Sequence, residues 1–297
     1  MLDGVESLLN FAAGIWGNFM DIAIKIATAD PTSGVYAGLH NVAKTAYNTI
    51  ADVAISVAVI FYFIGLIKIA MQINGDENGF RRILEHLVKI VCMYCLIKNM
   101  MKLLDNILII GADIASKIGT KNTTFTFDVT TIMDRINKEI PFPKIDSIWD
   151  ISSSLVDLLR YVGSSLILLF FALIATGVVV ASAITIINVC YQRIVKPLVV
   201  IPFAGISAAM SCAEGEFGSS FIHFIKTFIG FALTSMFIVI AIRLGTQLAS
   251  SSIFTSLFKN SPDGLTGAMY ELLQFALAPM ITAGTVKCSD SIISRLF

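Results

Sequence analysis

Lys98 and Lys102 stand four residues apart in an otherwise apolar stretch, with Asp105 three residues further on. On a helix that spacing puts both ammonium groups on one face. Charges at such depth could line an aqueous route for an anionic polymer. They could equally snorkel to the interface, or pair with Asp105 or with a partner subunit. A second constellation is Lys196-Pro197 with Pro202 and Gly205, where an apolar pass is interrupted. Irregular backbone at membrane depth is tolerated only where protein or water covers it. Breaks of this kind hold substrate in some transporters, and they also serve as architectural kinks.

Other chemistry is scarce. His40, His86 and His223 each stand alone, and structural or interfacial roles are expected of them. No phosphate-binding loop, zinc-protease helix or nucleophile-elbow pattern occurs. No cysteine–histidine cluster has metal-ligand spacing. The five cysteines, Cys92, Cys95, Cys190, Cys212 and Cys288, include one CxxC, which lies inside an apolar helical run rather than after a strand. Buried, unpaired thiols are therefore expected. The residues predict no enzyme, no cofactor and no metal.

The elements that must position these residues belong in a bilayer. From Tyr161 to Gln192 no residue is charged, a run longer than the roughly 20 residues a helix needs to cross. The whole chain of 297 residues is 56% hydrophobic with a mean hydropathy of +0.81, so this run is one of several. Lysine plus arginine and aspartate plus glutamate both number 21, which leaves no global pull toward polyanions. Asp3 and Glu6 stand where a signal peptide would be basic, so insertion is expected to use the later spans.

The pattern predicts an all-α polytopic membrane protein with about five transmembrane helices, six being the alternative. Residues 1–44 begin with an amphipathic helix whose apolar face is Leu8, Phe11, Ile15, Phe19, Ile22 and Ile26. Its polar face is not basic, which favours docking on protein over anionic lipid, although a helix lying at the interface remains open. Residues 45–110 form a first helical pair, its second member shielded or tilted because of its charges. Residues 111–160 are a polar, extracytoplasmic loop, with a weak strand pattern from Thr123 to Thr131.

Residues 161–245 form a core bundle of three spans: Tyr161 to Gln192, a short kinked pass from Pro197 to Cys212, and Phe224 to Ile242. Residues 246–297 are a re-entrant or interfacial segment around Leu265 to Val286. Lys68, Arg81 and Arg82 around the turn at Asn74 place that turn inside and the N-terminus outside.

The stretch from Arg193 to Gly245 resembles the core of the TrbL-like family, polytopic inner-membrane channel subunits of conjugative type IV secretion systems related to the sixth VirB protein. Lys196, Pro197, Leu198, Ile201, Pro202 and Phe203 (KPL…IPF) carry the likeness, with Lys226, Phe228 and Gly230 of FIKTFIGF. The ending KCSDSIISRLF, around Ser289 and Asp290, is also similar to the family's C-terminus.

The resemblance implies a non-enzymatic subunit of a translocation channel in the bacterial cytoplasmic membrane, assembled as a homo-oligomer. Its implied partners are other secretion-system membrane subunits, separate ATPases and the lipid bilayer, with transient contact to single-stranded DNA or relaxase. It has no catalytic residues to carry over. The competing expectation is a secondary transporter or small-solute permease, motivated by the proline breaks and buried charge. Against it, the two halves show no inverted repeat.

Overall fold

A computed structural model describes residues 2–72, 79–119, 127, 129–141, 151–212, 219–250 and 264–296. Every regular element among them is helical: α1 (Leu2–Thr28), α2 (Ala37–Gln72), α3 (Gly79–Gly119), α4 (Val129–Glu139), α5 (Ile151–Val200), α6 (Ala204–Met210), α7 (Ser220–Ser250) and α8 (Leu265–Leu296). Short 3-10 turns, Gly34–Tyr36 and Ile201–Phe203, lead into α2 and α6. Three stretches, Gly34–Met71, Leu158–Met210 and Ser220–Leu248, are long and apolar enough to cross a membrane. The all-α class follows the sequence expectation. The weak strand pattern lies partly outside the described residues, and its last part, Val129 to Thr131, opens α4.

The chain forms two compact units. One comprises Met1–Ile26, Thr120–Cys190 and Phe237–Cys288. Its core is built on α1, whose buried face is Val5, Leu9, Ala12, Trp16, Met20 and Ala23. That face is rotated by one residue from the predicted one: Phe11 is 59% exposed and Ile22 43%, while Ile26 of the predicted stripe is buried. Both stripes have helical periodicity, but the buried one offers Ala12 and Ala23, which allow close approach, and Trp16, which brings the larger contact area. Trp16 packs on Phe127 (ring centroids 6.0 Å apart), and Phe127 on Phe275 of α8 at 4.7 Å.

Helix α1 is thus docked within its own chain, and the Thr176 hydroxyl of α5 donates to the Leu8 carbonyl at 3.4 Å. Helix α4 buries Val129, Met133 and Ile136, and is tied to the start of α8. There Arg135 pairs with Glu271 at 3.1 Å, and Glu139 accepts the Gly264 amide at 2.6 Å.

The other unit comprises Ala27–Gly119, Tyr191–Met236 and Ser289–Phe297. Here α2 and α3 form an antiparallel hairpin: pairings move up one helix as they move down the other. His40 meets Asp105, the Tyr47 hydroxyl donates to the Ile97 carbonyl at 2.5 Å, and His86 reaches the Tyr62 carbonyl at 3.1 Å. His86 also stacks on Tyr62, with ring centroids 5.0 Å apart and planes within 8°.

Two corrections concern the membrane passes. The stretch from Pro197 to Cys212 is not a separate pass. Helix α5 runs on through Pro197 to Val200, and a single 3-10 turn at Pro202 links it to α6 without a chain reversal. Pro197 removes one amide donor, yet a helix of 50 residues retains enough flanking bonds to continue past it. The C-terminal segment, expected as re-entrant or interfacial, is one uninterrupted helix through Pro279, which removes the re-entrant alternative and is compatible with the interfacial one.

Candidate functional site

The helix break is the better-built of the two predicted constellations. Pro197 and Pro202 are buried, and Lys196 at the end of α5 is half-buried. Beyond them α6 buries Ala204, Gly205, Ser207, Ala208 and Ala209, all of them small. A short helix with this face can sit close to its neighbours, and α6 packs against α2 and α3. At Gly205 an added Cβ would lie 3.2 Å from the Cβ of Ala54 and 3.7 Å from the Tyr47 ring. The interruption is filled by protein: Tyr47 fastens α2 to α3 on the wall that α6 covers.

A second close approach holds α7 to α3. A Cβ on Gly111 would meet the Ala232 carbonyl oxygen at 2.5 Å, so the two backbones are in contact there. The neighbour is backbone and cannot swing aside, which makes glycine the residue that fits.

Lys98 and Lys102 are both exposed. They flank the buried seam of α3, Ile97, Met100, Met101, Leu104 and Leu108, without entering it. Lys98 places its ammonium 5.9 Å from the Tyr94 ring centroid, a cation–π distance. Neither pairs with Asp105, which the structure gives to His40 instead: Nε2 and Oδ1 are 2.8 Å apart, with the side chains 10% and 25% exposed. The lysine face and the α6 packing surface belong to one unit.

The sequence reading missed three polar links. His40–Asp105 could not be read from spacing because its members are 65 residues apart. The same holds for Arg135–Glu271, 136 residues apart. Arg193, the first charge after the uncharged run from Tyr161 to Gln192, is 4% exposed and donates to the carbonyls of Ala27 at 2.7 Å and Ala29 at 3.3 Å. It satisfies the C-terminal end of α1, where a cation also suits the helix dipole. That arginine therefore carries no weight as a marker of the cytoplasmic side.

The thiols also depart from expectation. Cys190 and Cys212 are buried, while Cys92, Cys95 and Cys288 are exposed, and none of the five is in a disulfide. The preference of cysteine for burial reflects aversion to water, and it says nothing where the outer surface is itself apolar.

Outside the membrane stretches, Asp30 closes the turn between α1 and α2. It accepts from the Thr32 amide at 2.9 Å, the Thr32 hydroxyl at 2.8 Å and the Ser33 hydroxyl at 2.7 Å. Partial burial works to raise its pKa, but these bonds and nearby His40 outweigh it and hold the carboxyl below its ordinary value. Among the described residues no three histidine, cysteine or acidic side chains gather to hold a metal ion. No protein-family model, no curated protein and no solved structure matches this chain.

Proposed function

We propose that this chain is a non-enzymatic channel or scaffold subunit of a conjugative type IV secretion system, helping to move DNA with attached relaxase across the bacterial cytoplasmic membrane. The observation that carries the reading is the location of the KPL…IPF phrase. Its residues form the α5–α6 joint, and the α6 that follows is packed against α2 and α3, so the stretch resembling the TrbL-like core is central to its unit. A helical chain whose α2 keeps only 22% of its most apolar stretch buried supports assembly within a bilayer with lipid and other subunits around it.

Five passes remain the proposed count, composed differently from the sequence expectation: α2, α3, α5 with α6, α7 and α8. With an outer N-terminus this leaves the C-terminus inside, where Lys287 and Arg295 suit the positive-inside rule. Lys98 and Lys102 are exposed on the protomer's surface, so a positively charged route would form between protomers of a homo-oligomer. The contact with DNA phosphates there would be electrostatic and independent of base sequence.

The test is DNA transfer from donor cells carrying a clean deletion of this gene, complemented with the wild type or with Lys98→Glu/Lys102→Glu. Transfer lost on deletion and restored by the wild type is expected. The double variant should assemble normally and transfer at least about tenfold less DNA, since each reversed contact weakens phosphate binding. Undiminished transfer by the deletion strain overturns the secretion reading, and solute uptake into proteoliposomes then becomes the assay. Wild-type transfer by the double variant removes the two lysines from the mechanism.

A further inference from the structure

Within the first unit, α5 and α8 enclose a groove of about 390 Å³ between Phe171–Val178 and Thr266–Met280. Its lining is apolar apart from Thr266 and Tyr270, and both of these come from the first two turns of α8. The same end of α8 carries the polar belt described above, Arg135 with Glu271 and Glu139 with the Gly264 amide. Tyrosine beside charged groups is the usual composition at the membrane–water interface. The opposite end, at Ala276, Leu277 and Met280, is wholly apolar, and the α5 wall lies within the uncharged run from Tyr161 to Gln192.

The groove therefore has a polar end and an oily end, and its length can be compared with a bilayer. From Tyr270 to Met280 the helix rises about 15 Å. That is half of the roughly 30 Å hydrocarbon core, the depth of one leaflet. A helix from a second copy, about 10 Å across, would need roughly 1,200 Å³ over that length, well beyond the groove's volume of about 390 Å³. A chain of methylene groups with a polar head fits its volume, gradient and depth.

We propose that this groove is a lipid site, taking one acyl chain of a bilayer phospholipid with the headgroup held at the Tyr270 end and the chain terminus at Met280. The proposal rests on the chain's residence in a bilayer and is independent of the secretion reading.

The purified full chain would be reconstituted into phosphatidylethanolamine–phosphatidylglycerol vesicles doped with phospholipid carrying a photoactivatable diazirine. One probe has the diazirine near the acyl terminus, the other near the glycerol, and cross-linked residues are mapped by mass spectrometry. The terminal probe should mark Ala276 to Met280 and the glycerol-end probe Thr266 to Tyr270, each well above outward-facing Phe170 and Leu173, which are 60% and 59% exposed. Ala276→Phe fills the groove. It should cut groove labelling at least about tenfold, the loss of burying about two methylene groups, while Phe170 and Leu173 are unchanged. Should that variant fail to purify as a single species, Leu273→Trp at the half-exposed rim has the same expected effect.

Groove labelling no stronger than at Leu173, or both probes marking the same positions, overturns the proposal in favour of bulk lipid. Chain-to-chain cross-links through the groove overturn it in favour of a protein occupant. Absence of labelling at Phe170 and Leu173 as well would refute the membrane reading on which it rests.

Discussion

Asp105 and His40 join two largely apolar helices, and neither has room to be alone. With the pair at 2.8 Å and the histidine side chain 10% exposed, removing the carboxylate leaves a ring nitrogen shut away from water without its partner. Asp105→Leu is expected to cost about 1–3 kcal/mol of stability, the usual penalty for orphaning a buried polar group. His40→Leu combined with Asp105→Leu should recover part of that loss, because no polar group is then left unsatisfied. Thermal unfolding of the three variants in detergent measures the coupling, and strictly additive losses would show that the contact contributes nothing.

Asp30 makes the pH-dependent counterpart. Its folded pKa lies below the ordinary value of 3.8, so its contribution is fully present above that value and is lost as pH falls through the lowered native one. Asp30→Asn should flatten the stability profile below about pH 4 and leave its shape near neutrality alone. An unchanged acid limb would mean that the turn is held by its backbone alone. The Asp30 turn is a local feature, all its parts lying within four residues with an Asx-type side chain at its head, the kind of signal a sequence carries. The His40–Asp105 pair is not, since no local signal reports which distant residue a histidine will meet.

At the scale of the helix, the contacts at Gly205 and Gly111 decide how closely elements approach. Gly205→Leu forces a branched side chain against Ala54 and Tyr47, and overpacking of this kind costs about 1–3 kcal/mol. Gly177→Leu is its control, since a Cβ there meets nothing within 4 Å, and it should stay within about 0.5 kcal/mol of the wild type. Melting temperature and recovery of monodisperse protein would separate the two. Equal behaviour would mean that α6 does not depend on its small face.

The sequence shows Ala204, Gly205, Ser207, Ala208 and Ala209 in this segment, small residues that permit close approach. It could not tell that the partner was α2, because small residues permit approach without naming a neighbour. For the same reason the amphipathic nature of α1 was legible while its buried face was misassigned. Two apolar stripes one residue apart compete there, and the decision lies with Trp16 finding Phe127 from a segment more than 100 residues away.

At the scale of the whole molecule the open quantity is the path of the chain through the bilayer. The sequence pattern puts a separate pass from Pro197 to Cys212 after the run from Tyr161 to Gln192, and two observations oppose a reversal between them: Arg193 is consumed in capping α1, and α5 continues without a turn. Helix α5 extends about 75 Å by its rise per residue, far more than the roughly 30 Å it has to cross. It can therefore pass the membrane once and still carry Pro197, Pro202 and α6 along. Within the proposed five passes, a continuous α5–α6 ends on the cytoplasmic side and α7 ends on the outer side.

Single cysteines in a background with the five native ones replaced by alanine would settle the path. Asn74→Cys and Glu214→Cys should react with an impermeant maleimide only in inverted vesicles, and Ser261→Cys only in right-side-out ones. Labelling of Glu214→Cys from the outside would restore the separate fourth pass. It would also require the α5–α6 joint to open between the two halves, which the packing of Gly205 on Ala54 opposes.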